Sequence, residues 1–145
     1  MPTKLVYGFR RIAFSMIWVQ RDYRERFLYV AQALAKHGSA YLHNMDGLKF
    51  GFHGLGEAMT LAEFKQVYPG CIIGNTGYTK ALAEQRLQVG NADLIAFGRP
   101  FISSHGLVSR FQQNLELNPY AEMDLWYTNT GANGYTDFPM AAVVA

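Results

Sequence analysis

Two short apolar runs constrain this chain more than any other feature, because each ends in glycine and leads through a polar turn into a helical pattern. The first reads Ile72, Ile73, Gly74, Asn75, Thr76, Gly77, Tyr78, Thr79; the second runs from Ala92 and Asp93 through Leu94, Ile95, Ala96 and Phe97 to Gly98, Arg99, Pro100 and Phe101. This is the strand–loop–helix grammar of a parallel sheet. Glycine at a strand end lets backbone N–H groups approach a ligand closely. The helix that follows aims its free N–H groups and positive dipole end at the same point. Arg99 adds a planar, permanent positive charge suited to phosphate. In (βα)8 barrels, phosphate is frequently held in the loops after the seventh and eighth strands. From the residues alone, the two turns read equally well as plain glycine turns with Arg99 at the surface.

The rest of the chain repeats the alternation. Leu5–Phe9 predicts a strand with Arg10 at its C-terminal end, the end that faces ligand in parallel βα sheets. From Asp22 to His37, Phe27, Val30, Ala31 and Leu34 fall on one helical face, and Gly38 stops the helix. Ser39–His43 predicts the next strand, with His43 packed and hydrogen-bonded, and a loop follows from Asn44 to Ala58. Thr60 and Glu63 have capping-box spacing, which starts a helix that ends before Pro69 and Gly70. A strand at Ile72–Ile73, a helix over Lys80–Val89 and a strand over Leu94–Phe97 come next. A last helix is expected from about His105 to Asn114 with Leu107, Val108 and Phe111 inward. Beyond Pro119 the chain becomes an irregular aromatic tail over 119–145. Four βα units make half of a (βα)8 barrel or a small open α/β sheet.

Composition removes several function classes. Half of the 145 residues are hydrophobic and 17% are charged, a folded composition large enough for one domain. The net charge is +2, and Asp22 and Glu25 interrupt the arginine patch between Arg10 and Arg26, so a solvated helix face is read there rather than a nucleic-acid surface. Cys71 is the single cysteine, which excludes an intrachain disulfide and a thiolate cluster and agrees with a reducing, cytoplasmic setting. No histidine–carboxylate spacing suggests a metal. No signal-peptide core follows Met1–Lys4, and no run reaches the roughly 18 apolar residues of a membrane span.

The residues Ala92–Ser103 resemble the final strand of the Old Yellow Enzyme family, FMN-dependent NAD(P)H oxidoreductases that reduce activated alkenes. The resemblance extends through Asn75–Thr79, Leu115–Tyr120, Gly134–Pro139 and Tyr41–His43, and more loosely through Gly8–Arg10. It implies an α/β fold, the C-terminal half of a (βα)8 TIM barrel holding strands five to eight in one partial-barrel domain over 1–145. It further implies that Arg10 reaches the flavin pyrimidine edge, that Thr76, Gly77 and Tyr78 contact the phosphate after strand seven, and that Gly98 and Arg99 do so after strand eight. Trp126 corresponds to an aromatic beside the flavin and Tyr127 to one bordering the substrate. The family's substrate-oxygen pair and tyrosine proton donor lie on its first four strands and have no counterpart in these 145 residues, so no catalytic residue is assigned. Arg11 and Ile12 stand where the family has Ser-Pro, and Ser104, His105 and Gly106 where it has Asn-Pro-Asp.

The implied function is hydride transfer from NAD(P)H through FMN to an α,β-unsaturated carbonyl. A non-catalytic FMN- or phosphate-binding half-barrel is the alternative, and a fragment that binds nothing is a third. The implied partners are a small enone, and either a second copy of the chain or a missing N-terminal half. Neither nucleic acid nor membrane is among them.

Overall fold

A computed structural model describes residues 22–46, 58–126 and 131–140. The expected first strand and Arg10, most of the loop after Asp46, and Tyr127 lie outside the described residues. The chain divides into two compact units, Met1–Ala96 and Phe97–Ala145.

The first unit begins with α1 (Tyr23–Lys36), followed by β1 (Tyr41–Met45), α2 (Leu61–Val67), β2 (Cys71–Asn75), α3 (Lys80–Gln88) and β3 (Leu94–Ala96). The strands form one parallel sheet in the order β1-β2-β3, with Tyr41 opposite Cys71, Asn44 opposite Gly74 and Gly74 opposite Ile95. Parallel neighbours joined by helices are what the glycine-ended runs predict. A parallel three-stranded sheet with helices fits a partial α/β barrel.

Local chemistry sets the helix ends. Thr60 accepts from the Glu63 N–H at 3.4 Å while the Glu63 carboxylate accepts from the Thr60 N–H at 2.6 Å, completing the capping box of α2. Thr79 caps α3 by accepting from the Leu82 N–H. At the end of α1, Gly38 takes φ +66°, its N–H donates to Ala35, and the Ser39 N–H reaches back to Leu34. This paired closure needs a left-handed residue and satisfies the last carbonyls. It is also why Ser39 and Ala40 stay out of β1, contrary to the strand expected at Ser39–His43. The strand instead runs two residues further, because Asn44 and Met45 pair with Gly74 and Asn75. Pairing overrides the poor strand propensity of asparagine.

The helix-facing side of the sheet holds the core: Leu42 and Ile72 are almost fully buried, with Leu61 and Phe64 from α2. Gly74 is required there, since a Cβ would sit 2.6 Å from Leu61 Cδ1, 3.0 Å from Ile95 Cδ1 and 3.1 Å from Tyr78 Oη. The opposite side carries Tyr41, His43, Met45, Cys71, Ile73, Asn75 and Leu94, and Leu94 is 55% exposed. A closed barrel would enclose that face. Asp93 clamps the sheet to α2: its N–H donates to Ile72 O at 2.9 Å, its carboxylate accepts from the Ile72 N–H at 2.7 Å, and Lys65 pairs with it at 2.6 Å.

The second unit contains α4 (Arg99–Ser103), α5 (Leu107–Gln113) and a 3-10 turn at Met123–Leu125. The sequence reading missed α4, although Pro100 in its first turn is a helix-start signal. Phe97 lies outside β3, and its ring meets Phe111 edge-on at 5.0 Å. The inward face of α5 also differs from expectation. Leu107 and Arg110 are buried, whereas Val108 is 57% exposed. Arg110 turns inward because three backbone carbonyls satisfy its guanidinium: His105 at 3.0 Å, Glu116 at 2.6 Å and Pro139 at 2.7 Å. Asn118 Nδ2 adds bonds to Ser103 O and Pro139 O, fixing the tail to the helices.

Candidate functional site

In the first unit the expected anion turn follows β2. Thr76 and Gly77 take φ of +85° and +78°, two consecutive left-handed residues. Glycine adopts this freely, but a β-branched residue there is an outlier. Such conformations cost on the order of 1–3 kcal/mol and persist only where the surroundings over-determine them. Several bonds do so here. The Thr76 N–H donates to Asn75 Oδ1 at 2.7 Å, the Asn75 carbonyl accepts from the Asp46 N–H at 3.3 Å, and Thr79 starts α3 immediately afterwards.

Tyr78 occupies the core rather than the turn surface. It is 6% exposed, and its hydroxyl donates to Asp46 Oδ2. Burial, followed by the bond to Asp46, pushes its phenol well above the ordinary tyrosine range. Burial also raises the Asp46 carboxyl, an effect the Tyr78 bond opposes. The Tyr78 hydroxyl is therefore turned into the core, bonded to Asp46 and Arg86 rather than presented at the turn surface.

Sequence reasoning missed Asp46. It assigned the region from Asn44 onward to a loop, whereas the longer β1 puts Asp46 at the strand's C-terminal end, where parallel sheets gather functional groups. Nearby polar atoms lack partners. Asn44 Nδ2, Asp46 Oδ1 and His43 Nε2 are buried without a hydrogen bond among the described residues. His43 is thus packed but not bonded through Nε2, contrary to the expectation, and burial lowers its pKa. Burial likewise raises the Cys71 thiol, in keeping with an unreactive side chain.

In the second unit, Gly98 is the N-cap of α4 and Arg99 its first residue. Gly98 has φ −93°, and a Cβ on it would meet nothing within 4 Å. Neither conformation nor packing demands glycine at this point. The Arg99 guanidinium lies 5.2 Å from the Tyr120 ring centroid, and Trp126 Nε1 donates to Ala121 O at 3.0 Å. Arg99 and Trp126 are thereby brought to adjacent residues of one tail segment. Among the described residues, no cluster of histidine, cysteine and carboxylate side chains could hold a metal, and no helix is long and apolar enough to cross a membrane.

No family model matches the chain. A 12-oxophytodienoate reductase-like protein of Solanum lycopersicum is 34% identical over 117 residues, which are 81% of this chain and 31% of that protein. The 12-oxophytodienoate reductase 2 of Arabidopsis thaliana is 31% identical over 116 residues, 77% of this chain and 30% of that protein. Among solved structures, the old yellow enzyme from Trypanosoma cruzi aligns with a TM-score of 0.74 at 28% identity, covering 84% of this chain and 31% of its own. A variant of NCR from Zymomonas mobilis aligns with a TM-score of 0.70 at 32% identity, covering 84% and 39%. The chain spans about a third of the length of the curated relatives it matches. In both sequence and fold, the chain is a relative of the Old Yellow Enzyme family and matches the C-terminal part of its members.

Proposed function

We propose that this chain supplies the flavin-phosphate end of an FMN-dependent, NAD(P)H-driven reductase of α,β-unsaturated carbonyl compounds. The observation that carries the reading is the Gly98–Arg99 pair: a glycine with open space where its Cβ would be, next to a permanent cation at a helix start. An unfilled glycine beside arginine suits the close approach of a phosphate. The left-handed Thr76–Gly77 turn supports the same assignment, with backbone N–H groups of Thr76, Gly77 and Tyr78 as the donors. FMN, when bound, supplies the hydride chemistry of the family. Trp126 beside the flavin, Arg10 at its pyrimidine edge and Tyr127 bordering the substrate rest on the family resemblance.

Within this assignment the chain's own residues bind and orient, and none moves a proton. Alkene reduction by these 145 residues alone is expected to be slow or absent, and the remainder of the barrel is the proposed cover for the half-exposed sheet face. A second reading is an FMN-binding half-barrel without turnover. Titration of the purified chain with FMN tests the proposal. Arg99→Ala should weaken binding by roughly 1.5–3 kcal/mol, the worth of a charge-assisted hydrogen-bonded contact. An affinity equal to that of the unmutated chain would remove Arg99 from the site.

A further inference from the structure

We infer that Asp46 is a positioning residue: by accepting from the Tyr78 hydroxyl, it holds the Thr76–Gly77 turn in its left-handed, anion-ready conformation. The inference rests on the assignment of that turn to phosphate and adds a residue the assignment does not contain.

Asp46 sits just past the C-terminal end of β1 and the turn just past the C-terminal end of β2, and these strands are paired in register through Met45 and Asn75. Two bonds span the gap. The Asp46 N–H donates to the Asn75 carbonyl, on the near side of the turn, and the Tyr78 hydroxyl donates to the Asp46 carboxylate from its far side. One residue just past β1 therefore grips both shoulders of a two-residue left-handed turn. Gly74 makes this possible. The Tyr78 Oη lies 3.1 Å from where a Cβ on Gly74 would be, so the phenol passes through space that any larger residue would take. Arg86 of α3 is the charged neighbour of the pair, hydrogen-bonded to the Tyr78 hydroxyl and acting electrostatically on both members. With Thr76 strained and unable to hold φ +85° by its own preference, the grip of Asp46 joins the Asn75 side chain in over-determining the turn. The aromatic ring also explains why the residue is tyrosine rather than a smaller donor: it spans from the turn to the next strand while filling core.

The test uses ¹⁵N relaxation on the 145-residue chain with Tyr78→Phe, Asp46→Ala and the double variant. In the unmutated chain, Thr76 and Gly77 should show order parameters near the rigid value of about 0.85, falling below about 0.6 in each single variant. The amides of Ile72 and His43 in the strands should stay unchanged, which separates a loosened turn from a loosened fold. The double variant should be no worse than Tyr78→Phe alone, because Asp46→Ala removes a bond that Tyr78→Phe has already removed. Turn amides that stay rigid in both single variants, or a double variant that adds their effects, would overturn the inference. The same variants are then titrated with FMN, and each should lose about tenfold in affinity. A mobile turn with unchanged FMN affinity would leave Asp46 a mere brace and refute its positioning role. If the unmutated chain binds no FMN, the functional assignment fails, and the relaxation data alone decide whether Asp46 holds the turn.

Discussion

Arg110 shows how a single residue can organise a segment without hydrophobicity. Its side chain is buried in α5, and its three bonds run to carbonyls at 105, 116 and 139, so one guanidinium ties helix, connection and tail together. A lysine could point its ammonium inward but could not reproduce the planar fork. Bonds from charged donors contribute about 1.5–3 kcal/mol each, and carbonyls left unpaired add to the loss, so Arg110→Lys should lower stability by about 3 kcal/mol in urea unfolding. A change within 0.5 kcal/mol, the range of ordinary surface substitutions, would mean the carbonyls find other partners. This role was invisible in the sequence. Periodicity marks apolar residues, so Val108 is expected inward and Arg110 goes unmarked, whereas the folded positions of distant carbonyls bury Arg110 and leave Val108 exposed. Thr60 and Glu63, by contrast, were legible because both halves of a capping box lie within four residues.

At the scale of elements, Asp93 joins α2, β2 and β3. Its burial raises its pKa, but the Lys65 bond and the Ile72 N–H outweigh that effect and leave it below the ordinary value of 3.8. A carboxyl depressed in the folded state stabilises fully above its unfolded pKa, and the contribution disappears as pH falls through 3.8 toward the folded value. Stability should therefore drop between about pH 5 and pH 3, with a modest amplitude because the pair is partly exposed to solvent. Asp93→Asn should flatten this slope while keeping an acceptor for the Ile72 N–H. Asp93→Ala should cost about 1–3 kcal/mol even at pH 7, because it leaves that N–H buried and unpaired. Urea midpoints at the two pH values check both, and an Asn variant with an undiminished acid slope would point to another carboxylate. Strand boundaries were the weakest part of the element reading for a related reason. Asn44 and Phe97 have local propensities that contradict their places, and the pairing of β1 with β2 and the ring contact of Phe97 with Phe111 decided those places.

For the whole molecule, the parallel order β1-β2-β3 and the alternation of strand and helix were readable from glycine-ended runs, and the relatives agree with the barrel they suggest. The two glycine turns were readable as positions, at Thr76–Tyr78 and Gly98–Arg99, but their internal bonding was not. The sequence cannot reveal that the Tyr78 hydroxyl turns away into the core, because its acceptor Asp46 is 32 residues distant. The proposed function gives the chain the phosphate of a flavin mononucleotide as ligand. Parallel titration of the 145-residue chain with FMN and with riboflavin, which share the ring system and differ in the phosphate, tests it most directly. FMN is expected to bind at least about tenfold more tightly, the equivalent of one charge-assisted contact, and Arg99→Ala is expected to erase most of the difference. Equal affinity for the two flavins would contradict it.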